Sequence, residues 1–293
     1  MCSPLLSLKE GIFCLPRRIS IIKRRFFAIT LIHKGYGLDE QGYIQSDVVT
    51  TQISLYNTCI QDCVAQLKQA FPKQVHSVYV YGSVARGEAV KKKSDLDLLV
   101  LFREDVSEQE KRRLNVLGQS LSKTYVDDFR EVGIAFTNYD YTMDPKNYDE
   151  QAFLKELSIC VEGNDLRSYF GPYRLTSEIA IRFNGDINAV YERAMKRLYH
   201  GDDEEFRQTT IAFARKLIRT YYSMVMLRSQ IWTTRLHEQA QVIVQSLLEK
   251  SSVIKTLLNW IDEPPTNPFV VLNLYEQEGN WLSEHFHREA KKG

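Results

Sequence analysis

The sequence predicts an α+β protein in which an N-terminal mixed sheet with helices precedes an all-helical half. Short β-rich runs at 77–81, 96–102 and 131–137 are separated by segments with helical patterning. From Ser177 onward, apolar residues recur at three- and four-residue spacing with few interruptions. The chain has 293 residues, 44% hydrophobic and 26% charged, which suits an ordinary globular protein and gives length for two modest domains. No apolar run approaches the roughly 20 residues of a transmembrane helix. The five cysteines lack paired spacing. A reducing, cytoplasmic location is therefore expected.

Residues 1–35 carry seven basic side chains against Glu10, a net of +6, which leaves −5 on the remainder. A body of that sign is no general nucleic-acid binder. Residues 1–45 read as a basic extension outside the catalytic body. Its charge admits a targeting segment, a membrane-surface or nucleic-acid arm, or upstream translation from a misassigned start. A sheet domain is expected over 46–145, a connecting segment over 146–176 and a helical bundle over 177–293. Within the first, Ile53, Tyr56, Ile60, Cys63, Val64 and Leu67 place a helix over 51–70. Cys59 and Cys63 read as apolar-face residues of that helix. The run Ser77–Tyr81 is a strand stopped by Gly82-Ser83, and Leu96–Phe102 is a second. A charged helix follows near 107–123, then a third strand at 131–137. Residues 138–147, with Pro145, read as a loop leaving the domain. In the helical half, Asp186 caps a helix that runs to His200 and Gly201 ends it. Helices are expected over 202–228, 233–250, 251–262 and 267–291.

One stretch carries the chemistry. Side chains alternate along a strand, so Asp95 and Asp97 share a face while Leu96, Leu98 and Val100 enter the core. Two carboxylates so close repel unless a cation lies between them, and Mg²⁺ is the natural occupant. Gly82 lets a phosphate approach the backbone, and the Ser83 hydroxyl adds a donor. Carboxylates for a metal beside a phosphate cradle imply phosphoryl or nucleotidyl transfer. A third acid would complete a two-ion site. By parity the third strand offers Glu131, with Gly133 and Ala135 leaving room beside it and Val132, Ile134 and Phe136 facing the core. Glu131 is the favoured third carboxylate, as metal ligand or as proton acceptor, with Asp127 and Asp128 as rivals. In the helical half, Arg215, Arg219 and Tyr222 form a ridge beside the core stripe of Ala214, Leu217, Ile218, Tyr221 and Val225. Arg219 is suited to bidentate binding of a triphosphate.

Gly82-Ser83, Arg86-Gly87 and Ser94-Asp95-Leu96-Asp97-Leu98 together resemble the signature of the polymerase-β-like nucleotidyltransferases. The layout is most similar to their small bacterial branch, the aminoglycoside and minimal nucleotidyltransferases. The resemblance implies that Asp95 and Asp97 hold Mg²⁺ and that Gly82, Ser83, Arg86 and Ser94 belong to the nucleotide site. It also implies that Glu131 is a general base. A nucleoside monophosphate, AMP from ATP in most members, would pass to an acceptor hydroxyl with release of pyrophosphate. The stretch Arg219–Ser223 is similar to an ATP-contacting helix of the aminoglycoside enzymes. Arg235 stands near the place of a phosphate-binding lysine in that family. The acceptor could be a small molecule, a protein or a tRNA end. An antitoxin-like protein that binds or modifies a partner protein is the alternative.

Overall fold

A computed structural model describes residues 31–292. The basic residues up to Thr30 lie outside the described residues, and with them most of the expected extension. Residues 31–45, expected in that extension, are folded onto the body. Gly35 N donates to Gln230 O (2.8 Å), Trp232 N to Tyr36 O (2.9 Å) and Ile44 N to Tyr173 O (2.8 Å). Gly37 has φ +72°, and a Cβ there would sit 2.0 Å from Trp232 O, so only glycine lets the two chains meet.

A 3₁₀ turn at Thr50–Tyr56 leads into α1 (Asn57–Ala70), β1 (Val75–Tyr81) and the single turn α2 (Gly82–Ala85). Next come β2 (Leu96–Phe102), α3 (Glu108–Thr124) and β3 (Val132–Asn138). The start of α3 is sealed by a capping box in which Ser107 and Glu110 satisfy each other's backbone amides. Then the structure departs from the expected loop. It forms α4 (Tyr139–Met143), α5 (Tyr148–Leu157) and a fourth strand, β4 (Ser158–Gly163). The sheet order is β3-β2-β1-β4, with β2 parallel to β3 and both other pairings antiparallel.

Helices cover both faces of this sheet. On one face Val78, Val80, Leu96, Leu98 and Val100 pack with Ile60, Val64 and Leu67 of α1 and Leu114 and Leu121 of α3. On the other, Tyr79, Leu99 and Leu101 pack against Leu154 of α5 and Phe170. The face that begins with Asp95 and Asp97 is thus apolar further along β2. Phe136, expected in the core, is 37% exposed. It lies near the end of the edge strand β3, beyond the cover that buries Val132.

The helical half comprises α6 (Ser177–Asn184), α7 (Ile187–His200), α8 (Asp203–Ser229), α9 (Leu236–Ser246), α10 (Ser251–Asp262) and α11 (Pro268–Ala290). Asp186 caps α7 as expected, accepting from Asn188 N (2.9 Å) and Ala189 N (3.1 Å). Gly201 ends α7 without a left-handed turn; a Cβ there would meet Arg197 O at 2.6 Å. The 27-residue α8 is the axis, touching α6, α7, α9, α10 and α11. Its stripe of Ala214, Leu217, Ile218, Tyr221 and Val225 is fully buried. Buried charge on this side is paired: Glu278 accepts from the Tyr221 hydroxyl and from Lys250 Nζ, the latter at 2.8 Å. No described helix is long and apolar enough to cross a membrane.

The two halves meet through a run of rings. Tyr81 at the end of β1 packs on Phe153 of α5 (5.2 Å between centroids), Phe153 on Phe183 of α6 (5.9 Å), and Phe183 on Trp232 (6.0 Å). Arg235, just before α9, reaches Glu88 at 3.0 Å. These contacts set α8 opposite the ends of β1 and β2.

Candidate active site

The acidic wall is made by the β1–α2 turn and the start of β2. Tyr81 pairs with Asp97 across the two strands, so the chain must turn at once beside the Asp97 carboxylate. Gly82 makes that turn with φ +70°, and a Cβ there would sit 2.2 Å from Asp97 Oδ2. On the other side of β2, Gly133 pairs with Asp97, and its Cβ position lies 3.6 Å from Asp97 Oδ1. Glycines therefore flank Asp97 on both sides, Gly82 in the turn after β1 and Gly133 on β3. Burial, and then the Asp95 carboxylate, push the Asp97 pKa up to about 6, opposed by Arg219, Arg86 and Arg130.

Asp95 sits just before β2 and meets a partner that the sequence does not reveal. Arg130 Nε donates to Asp95 Oδ1 (2.9 Å), and Nη2 of the same guanidinium donates to Oδ2. This forked pair joins the entrances of β2 and β3, where Leu96 N also donates to Glu131 O (2.9 Å) and Arg130 N to Ser94 O (3.0 Å). Ser94 also shapes the turn, since its hydroxyl accepts from Val90 N at 2.9 Å. Arg86 extends to Glu88 (3.0 Å), and the same carboxylate holds Arg235. Arg86 and Arg235 are thus linked through one acid at the mouth of the cleft. Ser83 is partly exposed on α2, next to Gly82 in the chain.

The basic wall is α8. Arg219 faces the site: Arg86, Arg215 and Asp97 all act on its charge. Its side chain keeps contact with solvent but is hemmed in by the cleft walls. That partial loss of water first, then Arg86 and Arg215, hold its pKa below the usual guanidinium value. Arg215 lies nearer Arg130 and Asp95, whose charges it feels. Tyr222, expected beside them, is instead buried at 4% exposure. Its hydroxyl donates to Ile231 O (2.8 Å) and accepts from Thr233 N (2.9 Å), which ties α8 to the segment before α9.

Glu131 is exposed at the foot of β3 and lines, with Arg130, a cavity of ≈ 500 Å³ that continues to α7 and to Lys216 on α8. It does not join Asp95 and Asp97 as a three-acid cluster; no three His, Cys, Asp or Glu among the described residues gather as one ion would require. Glu131, one residue before β3 as Asp95 is one before β2, opens toward the cavity instead. The rivals are occupied elsewhere, with Asp127 on Lys92 (2.6 Å) and Asp128 on Lys91 (3.0 Å). Sequence reasoning also passed over Glu150, in the first turn of α5. Its charge, with those of Asp97 and Asp95, reaches Tyr81, and burial raises its own pKa. It falls in a stretch that carries no motif.

Asp95 and Asp97 fit a divalent cation. They form a close, oxygen-only pair in which one acid is raised by burial and by its neighbour, and glycine keeps bulk away from its oxygens. The fork to Arg130 does not exhaust Asp95, since a carboxylate offers about four acceptor positions.

Comparisons with known proteins agree with this geometry. Residues 60–139 match the family model of the nucleotidyltransferase domain. A spectinomycin adenyltransferase, AAD(9), from Enterococcus faecialis, solved with ATP and spectinomycin, matches with a TM-score of 0.50 and 16% identity. The match covers 77% of this chain and 98% of that one. No curated protein shows a significant sequence match. Residues 60–139 are thus similar to a nucleotidyltransferase domain, and a mixed sheet followed by a helical region is the fold shared with the adenyltransferase.

Proposed function

We propose that this protein is a Mg²⁺-dependent nucleotidyltransferase that moves a nucleoside monophosphate, AMP from ATP, to an acceptor hydroxyl. The observation that carries the reading is the opposition of Asp95 and Asp97, in their glycine frame, to Arg219 and Arg86. The acids suit a divalent ion, and the arginines suit a triphosphate. In this reading Arg219 and Arg86 hold the phosphates while Gly82 and Ser83 let them approach the backbone. Bound Mg²⁺ would neutralise charge on the phosphates and orient the α-phosphorus. The acceptor oxygen forms its bond to that phosphorus as the bond to the β-phosphate oxygen breaks, and pyrophosphate leaves. Glu131, open to the cavity beside Arg130, takes the hydroxyl proton.

Pyrophosphate release from each of the four nucleoside triphosphates, with Mg²⁺ and a panel of acceptors, tests this. Release that depends on ATP and one acceptor, and that vanishes in Asp95→Ala, is the expected result. Sustained release in an Asp95→Ala/Asp97→Ala protein would overturn it.

A further inference from the structure

The cavity beside Asp95 has a charge that bears on the acceptor. Its walls carry Arg130, Arg193, Arg197 and Lys216 against Glu131 and Glu205. Arg130 is committed to Asp95, and Arg197 lies 3.8 Å from Glu205. Arg193 is exposed and, among the described residues, meets no carboxylate. Lys216 donates to Asn184, to its backbone oxygen and to Oδ1 (3.0 Å), so it too is unmatched by an acid. A second hollow of ≈ 310 Å³ continues from the first, sharing Arg193, Arg197 and Glu205 and adding Lys196 and His200.

Residues 193, 196, 197 and 200 stand at i, i+3, i+4 and i+7 on α7, so they line one face of the helix. At 1.5 Å per residue this row is roughly 10 Å long. The result is a trough that starts at Arg130, next to the carboxylate pair, and runs outward along a basic row. A polycation would meet net repulsion there. A hydroxyl compound bearing phosphate would be drawn in, with its hydroxyl toward Asp95 and its anionic part along α7.

We infer that the acceptor is a phosphate-bearing hydroxyl compound held in this trough by Arg193 and Lys196, not a cationic aminoglycoside. The inference rests on the transferase reading for the reaction, but the binding it requires does not depend on turnover. Two sources share the chemistry, a free mononucleotide or sugar phosphate and the 3′ end of an RNA.

The test is fluorescence anisotropy of a labelled oligoribonucleotide with a free 3′-hydroxyl, with AMP, ribose 5-phosphate and spectinomycin as competitors. The proteins are the full chain, the charge reversal Arg193→Glu/Lys196→Glu, and the charge-matched control Lys255→Glu/Lys291→Glu. Wild type and control should bind the RNA or be occupied by the small phosphates. The trough reversal should weaken binding at least about tenfold and lower the salt slope by about 0.7 per lost phosphate contact. Binding confined to RNA assigns the polymeric source, and equal competition by AMP assigns the small one. Failure of every phosphate compound to bind, displacement by spectinomycin alone, or equal weakening in the control would overturn the inference. Mg²⁺-dependent ATP binding, measured separately, reports on the transferase reading: its absence would defeat that reading and leave the trough result standing.

Discussion

The acidic wall of the cleft, Asp95 and Asp97 at the entrance of β2, and the basic wall, Arg215, Lys216 and Arg219 on α8, are placed by different means. Asp97 is positioned by its own strand and its neighbours, with Gly82 just after β1 and Gly133 on β3 beside it. Arg219 is positioned by a helix whose orientation depends on α6, α9, α10 and α11 and on the ring contacts from Tyr81 to Trp232. Local constraint aims the acid pair, whereas packing of the whole helical half aims the arginines. Damage to the first should remove chemistry at one point. Damage to the second should weaken binding in graded steps.

The largest expected effect comes from the acidic wall. Asp97→Asn keeps the shape but removes the anionic ligand, and turnover should fall by about three orders of magnitude, the several kcal/mol typical of a metal's contribution. Circular dichroism and melting should show the fold retained, since a raised carboxyl gains little from being charged. A melting temperature far below wild type would mean that Asp97 is a structural residue.

Lys216 tests the basic wall through stability. Burial, followed by Arg219, lowers its pKa to about 8 from an ordinary value near 10.5. The unfolded chain therefore binds the extra proton between pH 8 and 10.5, and stability should rise with pH across that window. The gain is at most about 3.5 kcal/mol, from roughly 1.4 kcal/mol per pKa unit over the roughly 2.5 units from 8 to 10.5. Lys216→Met should lack this rise, so the difference between the two denaturation curves against pH reads the group alone. Parallel curves would place Lys216 in solvent.

Arg219→Lys keeps charge and loses the fork. In the reading above, the Michaelis constant for the triphosphate should rise about tenfold to a hundredfold, the share of a strong charge-assisted bond. The acceptor's constant should stay unchanged. A shift in the acceptor's constant alone would move Arg219 to the other side of the cleft.

The smallest effect is expected from Gly82→Ala. The left-handed turn should cost about 1–2 kcal/mol of stability. Because the new Cβ falls on Asp97 Oδ2, activity should drop by more than that stability loss explains. Equal activity per folded molecule would show that the glycine serves the turn only.

How much of this was legible depended on the range of the interaction. The facing of Asp95 and Asp97 follows from strand alternation, a property of adjacent residues. The cap of α7 by Asp186 and the buried stripe of α8 follow from helical spacing for the same reason. Arg130 escaped notice because its partner lies 35 positions away and joins it only when β2 and β3 run parallel. The segment Ser158–Gly163 is short and mixed in character, and it becomes a strand only by pairing with β1. Tyr222 looked like a ridge residue by periodicity, yet the chain at Ile231–Thr233 folds back over it.

By itself the sequence determined the α+β class, the order of most elements and the motif of Gly82-Ser83 with Asp95 and Asp97, since each depends on local pattern and backbone freedom. Only the tertiary structure decided that helices cover both sheet faces and that Glu131 opens to a cavity instead of joining the acid pair. It alone also set a basic row of α7 continuing outward from Arg130. Those features depend on which distant surfaces come to face one another, and burial and charge act across such gaps only after the chain has packed.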